Sequence, residues 1–264
     1  MLGAIIGDIV GSRFEFDETP VEGFKLFTAG CDYTDDTICT VAIADAVLNR
    51  RSYKDSLVDW CSRYPHPKGG YGEKFEKWLH SADHLPQGSF GNGSAMRVSP
   101  VGWLFDHYDE VIGQAAQTAV VSHCHREGIR GAQCVAGLIY RLRTVRTVKD
   151  DVSVMVGQRF GYDIPDLADV YRAGADGHFD ATCQETVPAA ISCFLESRSF
   201  EDAIRIAVLA RGDTDTKAAI CGSIAEAYYE LPDDMVSAAC AYLPEEMLRV
   251  IEQFYDTMRN STAG

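Results

Sequence analysis

Positive charge is what this chain has least of: 24 Lys and Arg stand against 39 Asp and Glu over 264 residues, a formal net charge of −15. A general nucleic-acid coat or a binder of anionic membranes needs a positive field, so the balance argues against both. An anionic substrate stays compatible, because a bound cation reverses the local potential. No apolar run approaches the roughly 20 residues that span a bilayer, so no membrane association is expected. Met1 to Val10 has no basic n-region and contains Gly3, Gly7 and Asp8, so no secretory signal is legible. The nine cysteines are odd in number and form no Cys-x-x-Cys pair. Several, such as Cys134 and Cys193, fall on apolar helical faces. Reduced thiols and a cytoplasmic location are the expectation. Strand signals are also thin: Val152 to Val156 is a short β-branched run, and no hairpin signal separates two such runs. Internal repeats and low-complexity segments are absent.

What is present is helical period. Hydrophobic residues make up 46% and charged residues 24%, ordinary for a soluble globular chain. The length suits one large domain or two small ones and does not choose between them. Phe200, Ala203, Ile204, Ala207 and Val208 follow the i, i+3, i+4, i+7, i+8 pattern of one helix face. Ser199 is placed to cap that helix, with Asp202 as a capping-box partner. The spacing recurs at Val187, Ala190, Ile191, Phe194 and Leu195 after a loop ending near Pro188, and at Met247, Val250, Ile251, Phe254 and Tyr255 after Pro244. Further helices are expected over about Asp36 to Asn49, Asp109 to Val121 and Ile129 to Leu142. Thr144 to Asp166 and Arg172 to Gln184 read as loops, and Asn260 to Gly264 as a frayed end. The fold class expected is all-α, a compact bundle of many short helices in one domain over residues 1–264.

Two acidic segments are hard to explain as scaffold. In the first, Thr34-Asp35-Asp36-Thr37 runs directly into the apolar stretch Ile38 to Leu48. Acids at a helix start cap free N–H groups and complement the dipole, so Asp35-Asp36 alone does not separate a site from a cap. In the second, Gly212-Asp213-Thr214-Asp215-Thr216 lies between two helical segments, the latter with a small face (Ala218, Ala219, Ser223, Ala225). Two aspartates delivered to the mouth of a buried helix repel, and must bind protons or a cation. Hard oxygen ligands suit Mg²⁺, Mn²⁺ or Ca²⁺ better than zinc, and a metal role outweighs capping for this segment.

Other candidates are weaker. Gly91-Asn92-Gly93-Ser94 before a helix can present backbone N–H groups to a phosphate, but Gly and Asn are also default turn formers. His123 and His125 sit two apart with no zinc motif around them, and read as surface or capping residues. Glu15, between Phe14 and Phe16, reads on its own as solvent-facing.

Taken in order along the chain, these segments resemble the ADP-ribosylglycohydrolase family, which includes the dinitrogenase reductase activating glycohydrolase and the ADP-ribosyl-acceptor hydrolases. The likeness runs over almost the full length: Gly3 to Asp8, Gly11 to Phe16 with Glu15, Thr34 to Thr37, Gly91 to Arg97 with Ser99-Pro100, Ser122 to His125 with Glu127-Gly128, and Gly212 to Thr216 with Ala218 to Ile220 and Gly222. The resemblance implies an orthogonal all-α bundle with a dinuclear Mg²⁺ site, Mn²⁺ being a possible substitute. Thr34, Asp35 and Asp36 would bind one ion, Asp213 and Thr216 the other, with Asp215 bridging or approaching both. Glu15, together with Asp35 and Asp36, would serve catalysis, Glu15 positioning a water or the scissile bond. Gly91, Asn92, Gly93 and Ser94 would face the diphosphate of ADP-ribose, and Ser122 and His123 would line its cleft. The implied partner is ADP-ribose or an ADP-ribosylated substrate.

Two positions depart from the family pattern. Arg211 precedes Gly212 where a second glycine is common, and a cation there would contact a phosphate, pair with a site acid or crowd the turn. Glu185 stands where a small residue is expected. Two other readings remain. A catalytically silent ADP-ribose-binding or structural protein uses the same fold. An Asp-x-Asp phosphatase with Asp213 as nucleophile is disfavoured, because its motif follows a parallel strand and Phe200 to Leu209 has a helical period.

Overall fold

The apolar periods condense into helices throughout. The computed structural model describes residues 1–16, 18–145 and 148–262, and among these no strand forms, only three isolated bridges. The helices are α1 Leu2–Gly11, α2 Asp35–Leu48, α3 Tyr53–Arg63, α4 Glu73–Leu79, α5 Gly93–Met96, α6 Ser99–Leu104, α7 Tyr108–Val120, α8 Arg126–Thr144, α9 Lys149–Phe160, α10 Leu167–Ala175, α11 Cys183–Glu196, α12 Phe200–Leu209, α13 Thr214–Glu226, α14 Asp233–Cys240 and α15 Glu245–Thr262. No helix among the described residues is long and apolar enough to cross a membrane.

At the centre, α1 and α13 are buried along their whole lengths and lie backbone to backbone. Small residues make this possible. A Cβ at Gly7 would lie 2.1 Å from the Ala218 carbonyl oxygen, and one at Gly3 2.2 Å from that of Gly222. Farther along, a Cβ at Gly11 would meet the Asp215 Cα at 2.6 Å. Glycines at i, i+4, i+8 share one helix face, so α1 presents a groove into which α13 settles. The pairing matters for function because it sets Asp8 on α1 and Asp213 and Asp215 at the start of α13 at one end of the core. Helix α2, buried from Asp36 to Ala46, brings its acidic N-terminus to the same end.

Local signals account for most boundaries. Ser199 Oγ accepts from the Asp202 N–H and starts α12, while Asp202 Oδ2 accepts from the Arg198 N–H, one residue before the cap. Three expectations need correction. Thr144 to Asp166 is not a loop: α9 occupies Lys149–Phe160, with Arg146 and Thr147 outside the described residues. Val152 and Val156, read as strand-like, are the buried i, i+4 pair of that helix, whose end is set by Gly161 at φ 66°. The loop expected from Arg172 to Gln184 is shorter, because α10 runs to Ala175 and α11 begins at Cys183. Pro188 therefore lies inside α11; the carbonyl it leaves without a donor belongs to exposed Gln184, which water can reach. At the end of the chain α15 continues through Thr262, while Ala263 and Gly264 lie outside the described residues.

Candidate active-site cleft

A carboxylate in an otherwise uncharged helix organises this end of the core. Asp8, fully buried on α1, accepts the N–H groups of Thr34 (3.0 Å) and Thr37 (3.1 Å) and the hydroxyls of Thr34 (2.8 Å) and Thr37. These bonds hold the first turn of α2 against α1. Thr34 is its N-cap, its hydroxyl accepting from the Asp36 N–H at 3.1 Å. Asp36 thereby points into the core, where Oδ2 accepts from the Thr216 hydroxyl at 3.1 Å. Its Oδ1 is buried with no hydrogen-bond partner. Asp35, half-buried, faces the cleft.

Helix α13 delivers the second group through a turn of two consecutive left-handed residues, Arg211 at φ 56° and Gly212 at φ 71°. Lys217 folds back over that turn and donates to the Arg211 carbonyl. Asp213 caps α13 with its backbone, and its Oδ2 accepts from the Asn92 amide at 2.6 Å. Asp215 Oδ1 is buried and unpartnered, like Asp36 Oδ1. Glu15, just beyond α1, completes the group: one carboxylate oxygen each from Glu15, Asp213 and Asp215 lies within 4.8 Å of the others. Gly69, at φ 78°, leaves room for Glu15, since a Cβ there would lie 3.0 Å from its Oε2.

The electrostatics follow from this crowding. Burial, and then the neighbouring carboxylates, push the carboxyls of Asp36 and Asp215 well above the usual carboxylate range. Asp35 is raised in the same way, by burial first and then by Cys39, Asp8, Glu15 and Asp213. Burial raises Asp8 to about 6 against the opposing pull of its four hydrogen bonds. Among the described residues no lysine, arginine or histidine pairs with Asp36, Asp213 or Asp215. Buried carboxylates without cationic partners, two of them with an orphaned oxygen, are a donor set that fits a hard divalent cation.

The facing wall is the Gly91-Asn92-Gly93 loop. Asn92 bridges it to the acids, bonding Thr186 at 3.0 Å as well as Asp213. His123 packs against the loop: a Cβ at Gly93 would be 3.0 Å from His123 Nε2, and one at Gly91 3.6 Å. Burial, and then Arg97 and Lys74, push the His123 imidazole well below its ordinary range, so it is neutral near pH 7. Between the two walls lies a cavity of about 390 Å³.

Ten residues singled out from sequence line this one cavity: Glu15, Asp35, Asp36, Gly91, Asn92, Gly93, His123, Asp213, Asp215 and Thr216. Three others stand behind its walls. Thr34 is bonded to Asp8, Ser94 donates to the Gly128 carbonyl at 2.7 Å, and Ser122 lies between Arg97 and His123. His125 is not in the cavity; its Nδ1 accepts from the Glu127 N–H and caps α8. Arg211 does not line the cavity either, and Glu185 borders a separate pocket with His178 and Lys217. Sequence reasoning gave no role to Asp8, Arg97, Lys74 or the exposed, stacked pair Phe16 and Phe179 at the rim. The signal for Asp8 was a single acid in a ten-residue helix with no other charge.

Comparison with known proteins places the whole chain in one family and fold. The family model for ADP-ribosylglycohydrolase matches residues 1–263. The protein named ADP-ribosylhydrolase ARH3 of Mus musculus is 24% identical over 337 residues, covering 97% of this chain and 87% of the mouse protein. The protein of the same name from Xenopus tropicalis is 26% identical, covering 87% and 85%. A solved structure titled ADP-ribosylglycohydrolase-related protein complex superposes with a TM-score of 0.68 at 24% identity, covering 97% of this chain and 93% of that one. At that identity the likeness speaks for the fold.

Proposed function

The chain belongs to the ADP-ribosylglycohydrolase family, and from that premise we propose that it is a Mg²⁺-dependent hydrolase that cleaves the glycosidic bond at C1″ of ADP-ribose, releasing ADP-ribose from a modified protein, nucleic acid or small molecule. The observation that carries the reading is the pair of buried, unpartnered oxygens, Asp36 Oδ1 and Asp215 Oδ1, in an acidic wall facing the Gly91–Gly93 loop across one cavity.

Thr34, Asp35 and Asp36 on one side and Asp213, Asp215 and Thr216 on the other would hold two Mg²⁺ ions, with Mn²⁺ as a substitute. When bound, such ions supply binding for vicinal ribose hydroxyls and stabilise charge in an oxocarbenium-like transition state. The chain's own residues do the positioning. Asp8 fixes the first turn of α2, so Asp35 and Asp36 meet the ligand without reorganising. Asn92 holds Asp213 from the opposite wall and links substrate loop to acid cluster. Glu15, beside Gly69 at the mouth, orients the attacking water. The Gly91–Gly93 loop and the His123 ring would face the diphosphate, the loop being held in place by the Gly91 N–H on Ser89 Oγ and the Asn92 N–H on the Ala181 carbonyl. Helix α12 precedes Asp213, so the parallel strand an Asp-x-Asp phosphatase requires is missing among the described residues, and that reading carries no support.

The test is release of free ADP-ribose from a panel of modified substrates, with Mg²⁺ or with chelator. The expected result is release that needs Mg²⁺ and falls by at least about a hundredfold in Asp215→Ala, as for loss of a main electrostatic group in a site. Binding of ADP-ribose with no release from any linkage would favour the catalytically silent binder on this fold.

A further inference from the structure

Arg97 is the most deeply buried cation of the cleft, with no exposed surface, yet it makes no ion pair among the described residues. Its guanidinium donates instead to the Thr118 carbonyl and to Ser122 Oγ, both at 2.8 Å. Ser122 Oγ in turn lies 2.9 Å from His123 Nδ1, and these two are the hydroxyl's only hydrogen-bond partners among the described residues.

Proton counting along this chain gives one consistent arrangement. A guanidinium only donates, so Ser122 Oγ accepts from Arg97. If Nδ1 also carried a proton, Ser122 would accept twice and leave its own buried O–H without an acceptor, a costly state. With the O–H donating to Nδ1, the Ser122 hydroxyl and His123 Nδ1 are both satisfied and the ring proton sits on Nε2. That Nε2 edge faces the Gly91–Gly93 loop, with a Cβ at Gly93 only 3.0 Å away, and His123 lines the cavity.

We propose that Arg97, acting through Ser122, is a positioning residue that fixes His123 as the Nε2–H tautomer, so that the ring presents one N–H donor to a phosphoryl oxygen of the ligand beside the Gly91–Gly93 loop. The identity of that ligand rests on the function proposed above; the tautomer does not. The opposite tautomer would present a lone pair and repel the same oxygen. Burial, and then Arg97 and Lys74 near the ring, keep the imidazole neutral, so the donor is set by hydrogen bonding rather than by charge.

Long-range ¹H–¹⁵N correlation of the full chain labelled with ¹⁵N-histidine, near neutral pH and without ligand, tests the relay. The His123 signals are identified by their loss in His123→Gln. The wild type is expected to show a pyrrole-type Nε2 and a pyridine-type Nδ1. Ser122→Ala is expected to mix the two tautomers and to weaken ADP-ribose binding by calorimetry roughly tenfold, the worth of one hydrogen bond. Ser122→Thr, which keeps the hydroxyl, restores both. Arg97→Met mixes the tautomers as Ser122→Ala does, and where it fails to fold the serine variants decide. A wild-type ring protonated at Nδ1 or at both nitrogens overturns the proposal, as does a Ser122→Ala chain that loses affinity with its tautomer unchanged. The expected tautomer in a chain that binds no ADP-ribose leaves the relay standing and sinks the proposed function instead.

Discussion

Asp8 shows both the reach and the blind spot of reading residues one by one. The acids at Asp35-Asp36 and Asp213-Asp215 are legible because they are adjacent in sequence and break an apolar pattern. Asp8 sits alone in α1, and its partners Thr34 and Thr37 are 26 and 29 residues away, so nothing local marks it as the group that orients α2. Arg97 is hidden for the same reason, its partner Ser122 being 25 residues on. Burial raises the carboxyls of Asp8, Asp35, Asp36 and Asp215. A carboxyl raised on folding binds its proton more tightly in the folded chain. The stability it contributes is fully present below the unfolded value of 3.8 and is lost as pH rises through the folded value, about 6 for Asp8 and well above 3.8 for the others. Chelator-treated protein is thus expected to lose thermal stability from about pH 4 to 7. Asp215→Asn should flatten that decline and melt about 2–4 °C higher than wild type near pH 7 without metal. A metal-free Asp215→Asn that melts below wild type would count against a repelling cluster. Arg211 belongs to this scale too. Its sequence position left open a phosphate contact, a pairing with a site acid or a crowded turn, but the cavity is lined without it and its backbone is left-handed. Arg211→Gly is expected to stabilise the chain by under about 1 kcal/mol, left-handed strain relieved against added chain entropy, with kcat and KM unchanged. A changed KM would restore the substrate role.

At the scale of elements, strongly periodic helices were legible and short or atypical ones were not. The patterns at Phe200 to Val208 and Met247 to Tyr255 became α12 and α15 because five apolar positions on one face override everything else. Helix α9 was missed because its inward face is only two turns long and made of β-branched Val152 and Val156, which suit strands equally well. The α1–α13 pairing was invisible for a different reason. Glycine has no side chain to form a pattern, and its value at Gly3 and Gly7 is the absence of a Cβ where another backbone passes. That yields a contrast measurable by thermal melting. Gly7→Ala puts a methyl 2.1 Å from the Ala218 carbonyl and is expected to cost about 3 kcal/mol or more, or to prevent folding. Gly113→Ala, in α7 with nothing within 4 Å, is expected to stabilise by about 0.5–1 kcal/mol. Equal effects at the two sites would mean that α1 and α13 are not in backbone contact.

For the whole molecule, the proposed site would let a chain of net charge −15 accept a diphosphate. Its carboxylates converge where α1, α2 and α13 meet, three elements drawn from distant parts of the sequence, and there they await a counter-charge rather than repel the ligand. Any cation bound only by the folded cluster also stabilises the fold by mass action. The most direct measurement is a calorimetric titration of Mg²⁺ into chelator-treated protein, for wild type and Asp215→Asn in parallel. Two ions per chain in the wild type, with stoichiometry or affinity lost in the variant, is the outcome expected. Wild-type protein that takes up no Mg²⁺ at millimolar concentration, or an Asp215→Asn variant that binds as the wild type does, would contradict the claim that this acidic wall is a metal-loaded active site.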